Sequence, residues 1–319
     1  MRILALVPGG IGDQILFFPT LDELKRYYPK ADIDVIVEPQ AKGAYRVSGS
    51  VDEVLNFDFK DRNGLADFAN LLGTIRDREY DAVLSLASQW SIGLLLWMSG
   101  IPVSIGYKTI AGAWFLSNPV PEKTEQYAAH KYYDLLQGLD ISSPCPEPKL
   151  ALLKKDLAWA EKEQERLEAQ DGYILIHGGS TNLSQTQGID QVYPVKKWQQ
   201  IIEDIQEKQP DLPIVLIQGP EDGEFIEEML QTCPELKTTT PTDVGKLSAI
   251  IAGANLLLCI DSTPMYLAIA VGTYTIALFG STEAKKLLPD NEQCVGLQSP
   301  TRWIADIKPE DVLGAIWNG

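Results

Sequence analysis

Two periods of hydrophobic and polar residues alternate along this chain. Nearly continuous apolar stretches at 2–7, 33–37, 81–86 and 103–107 have the length and composition of strands buried on both faces. Between them, 20–28 and 65–78 repeat apolar residues at helical spacing. That succession predicts βαβ units on a parallel sheet. After Ser143-Pro144-Cys145-Pro146-Glu147-Pro148 the pattern starts again: a charged helix at about 156–170, then strands at 173–177, 213–218, 255–260 and 274–279, separated by helices at 195–207, 222–231, 242–252 and 264–271. The expected organisation is therefore two doubly wound α/β halves, residues 1–150 and 151–319. A last helix at about 308–317 carries Val312, Leu313, Ile316 and Trp317 on one side and is expected to pack across the junction.

Composition narrows the functional classes. With 319 residues and 45% hydrophobic content, the chain is long and apolar enough for two cores. A formal net charge of -17 opposes nucleic-acid phosphates and anionic lipid unless a local basic patch intervenes, so no nucleic-acid role is expected. Cys145, Cys233, Cys259 and Cys294 are scattered and only two histidines occur, which supports neither a zinc site nor a disulfide framework and fits a reducing cytoplasm. The opening run Arg2 to Val7 is too brief for an export signal. The apolar region from Ile92 to Leu116 is broken by Gly100, Pro102, Gly106 and Lys108, and so is not a membrane span. Its cluster of Trp90, Leu94, Leu95, Leu96, Trp97 and Met98, with Trp114 and Phe115, reads as a helix packed in the N-terminal core. Contact with a lipid-linked acceptor or a membrane surface is the alternative.

In open parallel sheets ligands bind beyond the carboxyl ends of the strands, and three loops there carry suitable chemistry. Pro8-Gly9-Gly10-Ile11-Gly12-Asp13 places Asp13 either to cap the next helix or to act as a general base toward a hydroxyl. Its spacing is neither Gly-x-Gly-x-x-Gly nor a P-loop. His177-Gly178-Gly179-Ser180-Thr181-Asn182 offers glycine amides and two hydroxyls to phosphate oxygens, with Lys196 and Lys197 further along to neutralise a diphosphate; a plain turn with solvated lysines is the alternative. Asp261-Ser262-Thr263-Pro264 follows the apolar run Leu256 to Ile260. Pro264 opens a helix whose N-terminus, with Ser262 and Thr263, suits an anion, although a structural cap also accounts for the pattern.

These loops, in this order, resemble glycosyltransferase family 9, the ADP-heptose:lipopolysaccharide heptosyltransferase-like enzymes of the GT-B fold. The resemblance runs over nearly the whole chain. It is carried by Gly12-Asp13 with Pro19, by Ile105-Gly106-Tyr107, by Ala129-His130-Lys131-Tyr132-Tyr133-Asp134-Leu135-Leu136 and by His177 to Ser180. Lys197-Trp198, Gln218-Gly219-Pro220-Glu221 and the block from Asp261 to Gly280 complete it. It implies two Rossmann-like domains facing a cleft, the N-terminal one receiving the acceptor and the C-terminal one holding a nucleotide-sugar, with transfer by inversion. It implies Asp13 as the base. The implied donor-binding set is Gly12, Ser180, Thr181, a lysine at 196 or 197, Glu221 or Asp222 near the nucleoside, and Asp261, Ser262, Thr263 and Tyr266 around the sugar-diphosphate. The implied partners are a nucleotide-sugar donor, ADP-linked foremost, and a glycan or lipid-linked glycan acceptor, in a cytoplasmic enzyme that can contact the inner membrane peripherally. No cofactor or metal is implied, since helix N-termini and a lysine can stabilise a departing diphosphate. Asp32-Ile33-Asp34 spells a metal-binding Asp-x-Asp, but it lies at a strand entry, opposite the ligand end.

The chain departs from the family pattern Asp-Ser-Gly-Pro-Met-His at two places, Thr263 for the glycine and Tyr266 for the histidine. A phenol with an ordinary pKa near 10 donates a hydrogen bond while staying neutral, where an imidazole can also carry charge. A sugar-nucleotide-binding protein with altered catalysis and a GT-B-like sugar-nucleotide epimerase are therefore the competing expectations. A periplasmic-type binding protein is disfavoured by the brevity of the opening apolar run.

Overall fold

The computed structural model describes residues 1–59, 64–109, 111–179 and 192–318, and its chain divides into two compact units, Met1–Ala151 and Leu152–Gly319. In the first, strands β1 (Arg2–Val7), β2 (Asp32–Val37), β3 (Glu53–Asn56), β4 (Ala82–Ser85), β5 (Val103–Tyr107) and β6 (Asn118–Val120) form one sheet in the order β3-β2-β1-β4-β5-β6. In the second, β7 (Ile174–His177), β8 (Ile214–Ile217), β9 (Lys237–Thr239), β10 (Leu256–Ile260), β11 (Thr275–Phe279) and β12 (Cys294–Gln298) repeat that order as β9-β8-β7-β10-β11-β12. Every pairing is parallel. Strand order reverses between β1 and β4 in the first unit and between β7 and β10 in the second, so each sheet opens a crevice there.

The helices of the first unit are α1 (Ile11–Tyr27), α2 (Leu65–Asp77), α3 (Trp90–Ser99) and α4 (Ala128–Tyr133). Those described in the second are α5 (Lys154–Arg166), α6 (Val195–Lys208), α7 (Gly223–Thr232), α8 (Val244–Ala252), α9 (Thr263–Val271), α10 (Ala284–Leu287) and α11 (Pro309–Asn318). Apart from Arg2 at the start of β1, the central strands β1, β7, β10 and β11 are buried along their length, as expected of parallel strands covered on both faces. Their apolar runs are what the sequence displays most openly. The edge strands β3, β6, β9 and β12 are three to five residues long and partly exposed, so they leave no such run and pattern reading omits them.

One helix begins earlier than its periodicity suggests. α1 starts at Ile11 and continues through Pro19, although a proline removes one helical donor. Phe17, Phe18 and Leu21 around it are buried, and that packing holds the turn. The last helix places Val312 in the core of the second unit, with Leu313, Ile316 and Trp317 packed against that core. The Trp317 indole donates to Asp204 on α6 at 2.7 Å. Asp34 of the Asp-x-Asp run is buried near the start of β2, where it accepts from Tyr80 at 2.6 Å and Arg78 at 3.0 Å, an ion-pair network at the end of the sheet away from the loops.

Candidate functional site

The first unit has a cavity of about 610 Å³ at the carboxyl ends of β1, β4 and β5, lined among others by Gly9, Asp13, Ser88, Tyr107, Glu122, Lys131 and Tyr132. Asp13 belongs to its wall because of how α1 begins. Its Oδ2 accepts the Gly10 amide at 2.9 Å, one half of a capping box. Gly9 makes this possible: its φ is +106°, and a Cβ there would lie 2.2 Å from that same carboxylate oxygen. The helix-capping reading of Asp13 is therefore met, and the same side chain also faces the cavity. Its Oδ1 accepts from the Tyr132 hydroxyl at 2.9 Å, a contact between residues far apart in the chain. A carboxylate offers about four lone-pair directions, so two acceptances leave room for a proton from a bound hydroxyl.

Burial, with the Asp13 charge second, raises the Tyr132 phenol well above its ordinary range, so it stays a neutral donor to Asp13. Lys131 lies with its ammonium 5.6 Å from the Tyr132 ring centroid and 5.9 Å from that of Tyr107, and 3.6 Å from a Glu122 oxygen. Thr109 also donates to Glu122, and the Tyr107 hydroxyl donates to the Lys131 carbonyl at 2.8 Å. The cavity thus pairs one carboxylate held by neutral donors with a lysine–glutamate pair on aromatic faces. Sequence reading names Asp13 but gives no role to Glu122, Lys131 or Tyr132. The last two do lie within a segment that carries the family resemblance.

In the second unit β7 and β10 lie side by side, with His177 in register with Cys259. The buried His177 imidazole joins two predicted residues. Its Nδ1 is 3.0 Å from the Ser262 hydroxyl, and its Nε2 is 3.2 Å from Asp222 Oδ2. Asp222 also accepts the Gly219 amide at 2.7 Å, which fixes the loop after β8. Ser262 occupies the N-cap position of α9 but makes no capping bond with its side chain; its hydroxyl lies between His177 and the Ile260 carbonyl, 3.1 Å away. The Ser262 side chain is thus engaged by His177 and not by the helix terminus. Tyr266, one turn into α9, donates its hydroxyl to Asp261 Oδ1 at 2.9 Å.

The remaining predicted residues are placed as follows. Gly12 lies in the first turn of α1, Thr263 opens α9, and Glu221 is exposed on the loop before α7. Lys196 is exposed on the first turn of α6. Lys197 is engaged elsewhere, its ammonium donating to the Ala305 and Ile307 carbonyls at 2.6 and 2.8 Å and so tying α6 to the segment before α11. Two of the three Lys197 donors are thus taken by carbonyls, whereas Lys196 is the more open of the two lysines expected near a diphosphate. Ser180 and Thr181 lie outside the described residues.

A model of glycosyltransferase family 9 (heptosyltransferase) matches residues 68–316. The chain is 25% identical to the chloroplastic photosynthetic NDH subunit of subcomplex B 1 from Arabidopsis thaliana, over 99% of its own length and 73% of that protein. It is 24% identical to lipopolysaccharide heptosyltransferase 3 of Escherichia coli K12, over 95% of its own length and 94% of that protein. Among solved structures, the E. coli heptosyltransferase WaaC with ADP-2-deoxy-2-fluoro heptose aligns at a TM-score of 0.78 and 17% identity, covering 100% of this chain and 99% of that one. At that identity the likeness is one of fold.

Proposed function

The chain belongs to glycosyltransferase family 9, and from that premise we propose that it moves a heptose-like sugar from a nucleoside-diphosphate donor, an ADP-sugar foremost, to a hydroxyl of a glycan or lipid-linked glycan. The observation that carries this reading is the Asp13 carboxylate, held by Tyr132 and the Gly10 amide in the wall of the 610 Å³ cavity. Asp13 accepts the proton of the acceptor hydroxyl while that oxygen bonds to the anomeric carbon. The bond from that carbon to the diphosphate breaks, and its electron pair leaves with the diphosphate. A single displacement of this kind inverts the anomeric centre.

In the second unit the amides at the start of α9, the Ser262 and Thr263 hydroxyls, Lys196, Ser180 and Thr181 serve the departing diphosphate. Metal-free transfer fits that set of donors, and no cofactor is required because the nucleotide-sugar is itself a substrate. His177 is a positioning residue, holding Ser262 against the loop of Glu221 and Asp222, which serves the nucleoside. Asp261, oriented by Tyr266, faces the sugar-diphosphate, and Gly12 belongs to the donor side. A cytoplasmic location and a peripheral membrane contact are parts of the same reading.

A second reading has a specific motive. The Arabidopsis relative is named as a subunit of an assembly rather than as a transferase, and Tyr266 stands where the family pattern has histidine. On that reading the chain binds a sugar-nucleotide without transferring the sugar. Incubation with a panel of ADP-, UDP- and GDP-sugars and polyol acceptors, followed by mass spectrometry, separates the two. Transfer predicts a free nucleotide diphosphate and a glycosylated acceptor from one member of the panel. Binding to a panel member with no released nucleotide diphosphate supports the second reading, and an altered sugar still on its nucleotide indicates an epimerase.

A further inference from the structure

Helix α3 is apolar on every side. Ile92, Leu95 and Leu96 enter the core of the first unit with Leu4, Leu6 and Val83, yet Trp90, Trp97 and Met98 on the same helix are 58%, 64% and 42% exposed. A helix of this composition normally lies wholly in a core. α9, equally apolar, is mostly buried, with Met265, Leu267 and Ala268 fully so. The short 3₁₀ turn Ala113–Phe115 packs against α3 so closely that a Cβ on Gly93 would lie 2.6 Å from the Gly112 carbonyl oxygen. It adds Trp114, 95% exposed, and Phe115, whose ring centroid is 6.3 Å from that of Trp97. The core-packing expectation thus holds for only one face of the helix. The other is a contiguous indole-rich surface of the kind that marks an interaction site.

We propose that this surface docks the protein on a lipid bilayer, with the indole rings of Trp90, Trp97 and Trp114 at headgroup level. This deepens the transferase reading, on which it rests for the identity of the acceptor, by assigning the side chains that make the membrane contact.

Three observations favour lipid. The first is charge. The chain has 44 acidic residues, yet none falls between Asp81 and Glu122, where Lys108 is the only charged residue. Exposed Arg76 adds a second cation at the rim, donating to the Met98 carbonyl at 2.6 Å. The segment that bears the indoles thus adds a cation and no carboxylate to a chain of net charge -17, which weakens the repulsion by an anionic surface there. The second is the isolation of Trp114. A ring that touches so little of its own chain needs a socket on a rigid partner, whereas a fluid interface closes around it. The third is continuity. Ser88 and Ala111 line the Asp13 cavity, and Trp90 and Trp114 follow each by two or three positions. An acceptor anchored in the bilayer thus presents its hydroxyl beside the base. No described helix is long and apolar enough to cross a membrane, and α3 need insert only its side chains, since its main-chain groups bond within the helix.

The test floats the full chain with vesicles of phosphatidylcholine and phosphatidylglycerol at seven to three. It compares wild type with Trp114→Ser, and with Trp97→Ser and Trp114→Ser combined. Neither residue lines the Asp13 cavity, and Trp114 contacts little that folding needs. The wild type is expected to float and to show tryptophan fluorescence quenched by brominated lipid; the double variant is expected to bind at least tenfold less at an unchanged melting temperature. Failure of the wild type to float, or equal flotation of all three proteins, overturns the proposal. So does patch-dependent dimerisation in sedimentation velocity without flotation, which would give the surface to a second copy. Flotation reads no chemistry and the nucleotide-sugar panel uses no lipid, so either reading can fail alone.

Discussion

Two aspartates lie beyond strands that flank a reversal of strand order, Asp13 in the helix after β1 of the first unit and Asp261 directly after β10, the counterpart of β4, in the second, and each accepts a tyrosine hydroxyl at 2.9 Å. The tyrosines differ in origin. Tyr132 reaches Asp13 from α4, 119 residues away, whereas Tyr266 reaches Asp261 from the next turn of the helix that Asp261 precedes, five residues on. Beside its local bond from the Gly10 amide, Asp13 is therefore held by a tertiary contact, whereas Asp261 takes its tyrosine from the local helix. Tertiary fixing suits a base whose lone pairs must meet a proton in one geometry. Local fixing suits a ligand-facing carboxylate that needs only a direction.

The comparison makes the first unit the more sensitive. Gly9→Ala puts a Cβ into the Asp13 carboxylate and forces an L side chain into positive φ. Displacing a base by roughly 1 Å is expected to lower turnover by about 100-fold, with donor affinity unchanged; steady-state kinetics and calorimetry check both. Lys197→Met removes two hydrogen bonds between α6 and the segment before α11. It is expected to lower stability by about 2 kcal/mol in urea unfolding and to leave nucleotide affinity alone. A fall in affinity at full stability would return Lys197 to the donor site. Tyr132→Phe leaves Asp13 Oδ1 without its protein donor and is expected to reduce kcat by about tenfold, since hydrogen bonds to charged groups are worth about 1.5–3 kcal/mol. The smallest effect is expected at Tyr266→Phe: a change in donor affinity within about threefold, because the helix still directs Asp261 and a charged acceptor can recruit water. A larger loss there than at Tyr132 would reverse the contrast.

Much of this was legible in the residues. Continuous apolar runs disclosed the central strands and the repeated βαβ order, and glycine-rich loops after those strands marked both crevices. Asp13, Asp261 and Ser262 stand out because loop position and residue type point to them locally. The Tyr132 contact with Asp13 and the His177 bridge between Ser262 and Asp222 do not, because contacts across 119, 85 and 45 positions leave no periodic trace. The Lys197 contacts are hidden in the same way: a lysine at a helix start suggests an anion, and nothing local announces the two carbonyls to which it donates. The tryptophans of α3 mislead, since apolar composition predicts burial without saying which side of a helix faces outward.

The central division of labour, a base in the first unit and a donor site in the second, is tested most directly by titrating one panel-selected nucleotide-sugar into Asp13→Ala and Asp261→Ala and measuring turnover of both. Asp13→Ala is expected to bind with a Kd within about twofold of wild type and to lose turnover by about 10²–10⁴-fold, and Asp261→Ala to bind at least tenfold more weakly. Retained turnover in Asp13→Ala, or wild-type affinity in Asp261→Ala, would contradict it.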